Sequence, residues 1–448
     1  MTQTPESLSH ALLDAARKAG ADAADAMVAE GSSLSIEVRQ GTLEHAERSE
    51  GVDLGLRVFV GQRQACVSAS DMRAETLTAM AERAVAMARE APEDPYAGLA
   101  EPGQLAQDWD LAALELFDPS EEPAPAALQE DALAAETAGF AVPGVTQVQS
   151  AAAGYGTHKV HMAATNGFSG GYQRSSRSIS CTAIAGSGTG MERDYDGDSR
   201  TFQDDLRSAK DIGTQAGERA IERLGARKPE TGSYPVLFDE RVSSSLIGHL
   251  LAAVNGASIA RGSSWLKDAL GEQILPAQLS VTEDPFRPRI AGSRPFDGEG
   301  LATQRRAIID NGVLTGWTLD LASARKLDMQ STGNAARGVG SVPSPSQWNI
   351  ALTQGKDSRA DLISGMGTGL LVTSMIGSTI NPNTGDYSRG AAGFWVENGE
   401  IAYPVNECTI AGNLRDMLRS IVPANDARSH LSRVVPSLLV EGMTLAGN

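Results

Sequence analysis

The sequence predicts an α+β protein, in which an N-terminal α/β layer domain precedes a large, mainly antiparallel β C-terminal domain (a sheet or partly closed barrel) with a few helices. In the first half, segments with helical apolar spacing alternate with strand-like segments. From about residue 279 onwards, short runs rich in β-branched and apolar residues are separated by glycine turns. Glycine accounts for 47 of 448 residues and aromatic residues for only 5%, which is typical of strands joined by tight turns and bulges.

Residues 1–90 form the predicted N-terminal α+β domain, with the order helix, strands, helix. Apolar spacing predicts the first helix over residues 5–19. A hairpin turn is predicted at Gly31 and Ser32. The four predicted strands cover residues 24–30, 33–40, 54–60 and 64–69. Ser70 or Asp71 is expected to cap a helix that ends near Glu90. The buried stripe predicted for this second helix consists of Leu77, Met80, Ala84 and Met87.

Residues 91–125 interrupt this pattern with six prolines, many acids and no lysine or arginine. Such a composition predicts a solvated linker or surface excursion. Its acidic residues lack the spacing of a calcium loop, so we expect no cation site there.

Residues 126–225 form a central α+β segment that completes the N-terminal region, and residues 226–448 form the β-rich C-terminal domain. The central helices are predicted over about 126–138 and 207–224, with strands at 145–150, 159–164 and 179–185. The C-terminal domain begins with a short buried strand at 235–238 and a helix at 241–255. Its later predicted strands cover 307–310, 349–352, 370–372, 393–396 and 400–404. Asn311-Gly312 and Asn398-Gly399 are typical hairpin-turn dipeptides.

Composition excludes several classes of protein. The formal charge of −18 disfavours nucleic acid or an anionic membrane as the main partner, because both attract lysine and arginine clusters. No apolar run has the length of a membrane span. The N-terminus lacks a charged region followed by an apolar one, so we expect no signal peptide. Three cysteines far apart, Cys66, Cys181 and Cys408, predict no disulfide framework. A cytoplasmic protein is the expectation.

A hydrolytic zinc site needs imidazoles or thiolates that converge on one ion, together with a carboxylate that manages the proton of water. Of the six histidines, only His158 and His161 lie close together in the sequence. His158 and His161 lie three apart in a predicted strand, which directs them to opposite faces. His249 lies among leucine and isoleucine in the 241–255 helix, with no second histidine at helical spacing. We expect His249 to be structural.

Two further patterns favour turns over catalysis. Residues 167–171 (GFSGG) match the nucleophile-elbow motif around Ser169, but no helix follows, as an elbow requires. The glycine clusters at 186–190 and 365–369 resemble phosphate loops, yet they lack the lysine and the strand-to-helix setting of such loops. Both clusters are expected to be turns or bulges.

A distinctive polar pattern begins at residues 296–300 (FDGEG) and continues at residues 332–337 (TGNAAR). Acids and an arginine that meet in the fold form a structural ion-pair network or present hydrogen-bonding groups to a ligand; the residues alone leave both open. Five positions are therefore substrate-channel candidates: Asp297, Glu299, Thr332, Asn334 and Arg337.

The ordered set of motifs resembles the TldD/PmbA family. The C-terminal motifs that carry the resemblance are 296–300 (FDGEG), 310–314 (DNGVL), 331–335 (STGNA), 381–386 (NPNTGD), 393–399 (GFWVENG) and 409–414 (TIAGNL). Two counterparts lie earlier, at 55–58 (GLRV) and 165–168 (TNGF). The resemblance thus spans essentially the whole chain.

In this family, TldD-type subunits carry an HExxxH helix whose histidines hold zinc together with a later cysteine. The matching helix here offers residues 246–251 (LIGHLL), so the chain resembles the PmbA (TldE) type, without catalytic residues or a metal of its own. The resemblance implies a heterodimer with a TldD-like partner that supplies the zinc. This chain then encloses unfolded or precursor peptides for proteolysis.

Two alternatives remain open. In the first, the chain is a stand-alone, homodimeric peptide-binding or scaffold protein without hydrolytic activity. In the second, it is a metal-free hydrolase that uses Ser169, another serine or Cys408.

Overall fold

The computed structural model describes residues 3–447, and its elements follow the predicted α+β order. The N-terminal elements are α1 (Pro5–Ala19), β1 (Ala23–Arg39), β2 (Thr42–Val60), β3 (Arg63–Ala69) and α2 (Ala74–Glu90). The next elements are α3 (Leu111–Leu114), α4 (Pro125–Phe140), β4 (Val145–Ala164), β5 (Ser169–Ala185), β6 (Glu192–Arg200) and α5 (Ala209–Glu222).

The C-terminal region contains many short strands and a few longer ones. Its helices are α6 (Glu240–Ala253), α7 (Gly256–Ala260), α8 (Leu321–Lys326), α9 (Arg359–Gly365) and α10 (Leu414–Arg419). Its first strands are β7 (Gly232–Phe238), β8 (Val281–Glu283), β9 (Arg306–Asp310), β10 (Val313–Leu314), β11 (Ala335–Ala336), β12 (Ser344–Pro345) and β13 (Ile350–Leu352). Its last strands are β14 (Gly369–Ile380), β15 (Asp386–Glu397), β16 (Glu400–Asn413), β17 (Val422–Pro423), β18 (Arg433–Val434) and β19 (Leu438–Ala446).

The first six strands form one antiparallel sheet in the order β3-β2-β1-β4-β5-β6. The hairpin predicted at Gly31 and Ser32 is wrong, because β1 continues through both residues. Gly31 pairs with Gly51 of β2 on one side and with His158 of β4 on the other. The segments predicted separately at 145–150 and 159–164 are likewise one strand, β4. Long strands pair with β1 and with β4 on both sides, and this pairing keeps β1 and β4 extended across their glycines.

Helices cover one face of this sheet. Side chains of α1 and α2 pack on the β1–β3 part, and those of α4 and α5 pack on β1, β4 and β5. In α2 the predicted stripe is correct at Leu77, Met80 and Ala84, but Met87 is 48% exposed. The last turn instead buries Val85 and Ala88, which continue the apolar face at helical spacing.

The acid-rich segment 91–125 is partly buried against the C-terminal region. The side chains of Leu114 and Leu116 are buried. Arg325 of α8 donates hydrogen bonds to the backbone carbonyls of Tyr96 (2.9 Å) and Leu99 (2.7 Å). These contacts fix the segment between the sheet and the C-terminal region.

The C-terminal strands form the predicted barrel. Strands β16, β15, β14, β7 and β19 are hydrogen-bonded in this order, and β19 pairs back with β16 to close a five-stranded ring. The ring is antiparallel except for the β14–β7 pair. A second sheet of the order β10-β9-β8-β13-β18 lies beside it. Asn311-Gly312 and Asn398-Gly399 adopt the positive φ angles of the predicted hairpin turns, between 48° and 82°. Within residues 3–447, no helix combines the length and apolar character needed to cross a membrane.

Candidate functional site

Helix α6 connects the barrel to a cleft. The backbone N–H of Asp239 donates to the carbonyl of Val372 in β14 (2.9 Å), and its side chain caps the helix by accepting the N–H of Arg241 (3.1 Å). One face of the helix packs in the core through Leu246, Ile247, Leu250 and Leu251, which are at most 1% exposed. The other face borders open space with Arg241, Val242, Ser244 and Ser245.

The cleft beside α6 has a volume of about 1030 Å³ and separates the first sheet from the barrel. Edge strand β6 forms one wall through Glu192, Arg193, Asp194 and Tyr195. Strands β14 and β15 form the opposite wall through Thr373, Ser374, Met375, Ile376, Arg389, Ala391 and Ala392. We call this space the α6 cleft.

Strand β14 presents an unpaired backbone edge in the α6 cleft. On one side, β14 pairs with β15 from Gly369 to Ile380. On the other side it pairs with β7 only at Leu370–Val372, because β7 ends at Phe238. Within residues 3–447, no strand pairs with that side of β14 beyond Val372. The Thr373 hydroxyl is also buried without a hydrogen-bond partner. An extended chain is the natural complement of such an edge.

Exposed apolar side chains surround this edge. Ile376 is 78% exposed, Tyr195 61% and Met191 53%, and all three line the α6 cleft. Large apolar side chains grouped at one cleft are typical of a surface that another molecule covers.

An ion-pair network fixes the two walls relative to each other. Asp194 of β6 accepts hydrogen bonds from Arg241 of α6 (3.0 Å) and Arg223 beyond α5 (3.4 Å). Asn406 of β16 donates to Glu192 (2.9 Å). These contacts link β6 to α6, to the end of α5 and to β16.

The donor atoms beside α6 do not fit a hydrolytic zinc ion. Cys408 is buried, donates to the carbonyl of Ala391 (3.2 Å), and burial raises the pKa of its thiol to about 11. His249 packs edge-on against Tyr387, and burial lowers its pKa. Across residues 3–447, no group of three or more His, Cys, Asp or Glu side chains is arranged to hold a metal ion.

The five substrate-channel candidates lie in a buried hydrogen-bond network between the first sheet and the sheet that contains β8. Asp297 accepts the N–H groups of Glu299 (2.9 Å), Leu301 (2.9 Å) and Ala335 (3.0 Å). Glu299 accepts the N–H of Leu321 at the start of α8 (2.9 Å). Burial raises the pKa of both carboxyls, and their mutual repulsion raises that of Glu299 further. Both acids thus stabilise turns.

The remaining candidates make contacts of the same kind. The Thr332 hydroxyl accepts the N–H of Leu319 (2.9 Å). The Asn334 amide donates to Glu283 (2.8 Å) and to the carbonyl of Ser346 (2.9 Å). Their role in a substrate channel stays a prediction.

Arg337 reaches across to the N-terminal domain and donates to Asp25 of β1. Arg57 of β2 donates to the other oxygen of the same carboxylate (2.9 Å). Asp25 is 4% exposed and Arg57 3% exposed. Although burial opposes ionisation, the two guanidinium groups lower the pKa of Asp25. This triad joins two domains, and sequence reasoning missed it because its members lie 312 and 32 residues apart.

A histidine pair near Ser169, formed by His10 and His161, was not expected from the sequence. The Ser169 hydroxyl lies 3.2 Å from Nε2 of His10 and 3.5 Å from Nε2 of His161. Nδ1 of His161 contacts the hydroxyl of Ser9 (2.8 Å), so a serine occupies the position of the orienting carboxylate in a catalytic triad. Ser169 is the first residue of β5, so a strand follows the glycine turn, and not the helix of a nucleophile elbow. His158 faces another cleft, on the opposite side of β4.

Comparison with known proteins identifies the family. A family model described as PmbA/TldA metallopeptidase C-terminal domain matches residues 231–447. Models described as domain 1 and central domain match residues 24–88 and 118–224. Metalloprotease PmbA of Escherichia coli O157:H7 is 38% identical over 432 residues, which cover 95% of this chain and 92% of that protein. The chain belongs to the PmbA/TldD metallopeptidase family.

Solved structures agree with this membership. A Bacteroides thetaiotaomicron protein described as a modulator of DNA gyrase superimposes with a TM-score of 0.92 at 29% identity, over 99% of this chain and 100% of that one. TldE from Thermococcus kodakarensis has a TM-score of 0.85 over 98% and 100% of the two chains; at 21% identity it shows a shared fold. In family terms, the α6 cleft lies between the central and C-terminal domains.

Proposed function

We propose that this chain is the non-zinc subunit of a heteromeric TldD/TldE-like metalloprotease. It encloses unfolded or precursor peptides and aligns them for proteolysis by a TldD-like partner. The partner carries the HExxxH helix and the zinc; no step of bond cleavage is assigned to residues of this chain.

The observation that carries the proposal is the free edge of β14 beside α6. Backbone groups on this edge recognise an extended peptide by strand addition, which places little demand on the sequence of the peptide. Ile376, Tyr195 and Met191 offer contacts for apolar side chains that an unfolded segment exposes. A folded protein keeps most of its backbone groups paired internally, so the geometry favours unfolded chains.

The donor set beside α6 supports the division of labour. A catalytic zinc ion needs three protein ligands and an open position for water. This chain offers one packed imidazole, His249, and one protonated thiol, Cys408, in that region. This donor set supports a partner that supplies the metal chemistry.

Co-expression with a TldD-type HExxxH relative tests the proposal. Gel filtration should yield a one-to-one complex that cleaves an unfolded peptide, while this chain alone should not cleave it. Cys408→Ala should leave the activity of the complex unchanged. A stable homodimer that ignores the relative and still binds peptide would favour the stand-alone binding protein instead.

A further inference from the structure

A second cleft lies at the other end of β6, where the central domain meets the loops around Arg289 and Ser432. Its volume is about 760 Å³, and its walls contain few large apolar side chains. Hydroxyl, imidazole and guanidinium groups line it, from Thr157, His158, Arg174, Ser176, Ser199, Arg200, Arg289, His430 and Ser432. Among the described residues, one carboxylate also lines it, that of Asp205, which pairs with Arg289 (3.2 Å). We call this space the arginine cleft.

The arginines that line the cleft differ in their partners. Arg200 and Arg289 have carboxylate partners, since Arg200 pairs with Asp198 (2.9 Å) and Arg289 with Glu115 (2.8 Å). Arg174 instead donates to the backbone carbonyls of Ala291 (2.7 Å) and Ser293. Among the described residues, no carboxylate lies within ion-pair distance of Arg174.

Two arginines outside the cleft lining, Arg287 and Arg294, also lack a carboxylate at ion-pair distance within the described part of the chain. Arg287 donates to the carbonyls of Leu431 (3.0 Å), which lines the cleft, and Ser429. Arg294 lies 3.6 Å over the ring of Trp348, and its buried Nε has no partner. Burial and the nearby charge of Arg174 lower the pKa of Arg294 to about 10. Neither side chain pairs with a carboxylate in residues 3–447.

Arg174 lines the cleft without a carboxylate partner in the described part of the chain, whereas Arg287 and Arg294 lie outside its lining and are attracted by Asp284 and by Asp297 and Glu283 from beyond ion-pair distance. Taking a cation out of water without a partner costs free energy, and an anion that binds beside it recovers much of that cost. Guanidinium groups match the oxygens of phosphate in pairs, and the hydroxyls of Thr157, Ser176 and Ser432 offer further donors.

We propose that the arginine cleft binds a phosphate dianion, either free or as the monoester of a small molecule, with Arg174 as the main contact. Arg174, Arg200 and Arg289 line the cleft together with the carboxylate of Asp205, and three guanidinium groups match a dianion better than a singly charged carboxylate. This site is separate from the α6 cleft, and the proposal does not depend on the peptide-binding role.

Isothermal titration calorimetry on the full chain tests the site with inorganic phosphate, phenyl phosphate and acetate as probes. At least one of the two phosphates should bind, and acetate should bind about tenfold more weakly or not at all. Binding of phenyl phosphate alone would assign the site to an ester, and binding of inorganic phosphate alone to the free ion. Equal binding of acetate, or no binding of either phosphate, would overturn the proposal.

Variants locate the site. Arg174→Met should weaken phosphate binding about tenfold, and Arg174→Lys, which keeps the charge, should weaken it less. Arg17→Met provides the control, because Arg17 is 69% exposed on α1 and pairs with Asp14. A thermal unfolding curve of each variant confirms folding; if Arg174→Met does not fold, Ser176→Ala takes its place. Unchanged affinity in every folded variant of the cleft would refute the assignment.

Discussion

Replacing Asp25 by asparagine removes the charge that joins Arg57 of the N-terminal domain to Arg337 of the C-terminal domain. At an effective dielectric constant near 20, each contact at about 4 Å contributes about 4 kcal/mol of attraction. Asparagine avoids several kcal/mol of carboxylate desolvation. The variant also leaves two buried guanidinium groups facing each other. We expect a net loss of about 3–5 kcal/mol in the free energy of unfolding.

Urea denaturation followed by circular dichroism measures this loss. Asp71→Asn is the matched control, because Asp71 pairs with Arg73 on the surface of the same domain. Its loss should be much smaller, because water and salt screen an exposed ion pair. The pKa of Asp25 is lowered in the folded protein, so its stabilisation is present above its unfolded pKa and is lost as pH falls. The difference between wild type and variant should therefore shrink below about pH 4. Equal losses for both variants, or a difference independent of pH, would refute the reasoning.

Three further predictions concern other parts of the chain. The melting temperature of Glu299→Gln should increase relative to that of the wild type as pH rises from about 5 to 9. The raised pKa of Glu299 stabilises the wild type at low pH, and this stabilisation is lost as the carboxyl ionises. A difference in melting temperature that is independent of pH would contradict this. Ile376→Glu should weaken binding of an unfolded peptide about tenfold in fluorescence titrations without changing stability, whereas Leu43→Glu, at a leucine that is 47% exposed on β2, should not. Gly55→Ala should lower the free energy of unfolding in urea by about 1–3 kcal/mol, because its Cβ would lie 2.0 Å from the carbonyl oxygen of Val339. Gly51→Ala is the control and should be neutral, because open space surrounds Gly51. Equal effects of the two substitutions would argue against this interdomain contact.

The fold class followed from local patterns, because helical spacing and hairpin dipeptides act over a few residues. Asn398-Gly399 joins β15 and β16 as expected, and the predicted barrel closes. The turn at Gly31 failed for a non-local reason. Neighbouring strands on both sides hold this glycine in an extended conformation, and no nearby residue signals their length.

The sites were less accessible from sequence. The free edge of β14 arises because β7 ends at Phe238, a property of strand pairing rather than of residue type. Arg174 is one of many arginines, and only the fold shows that carbonyls and not carboxylates surround it. The family resemblance located the α6 helix, yet it did not specify which of its side chains face the cleft.

Elemental analysis of zinc tests the central claim most directly. This chain, purified alone and then in complex with a TldD-type partner, should contain no stoichiometric zinc by itself and one zinc ion per complex. A chelator should abolish peptide cleavage by the complex. Stoichiometric zinc in the isolated chain, accompanied by chelator-sensitive cleavage, would contradict the account.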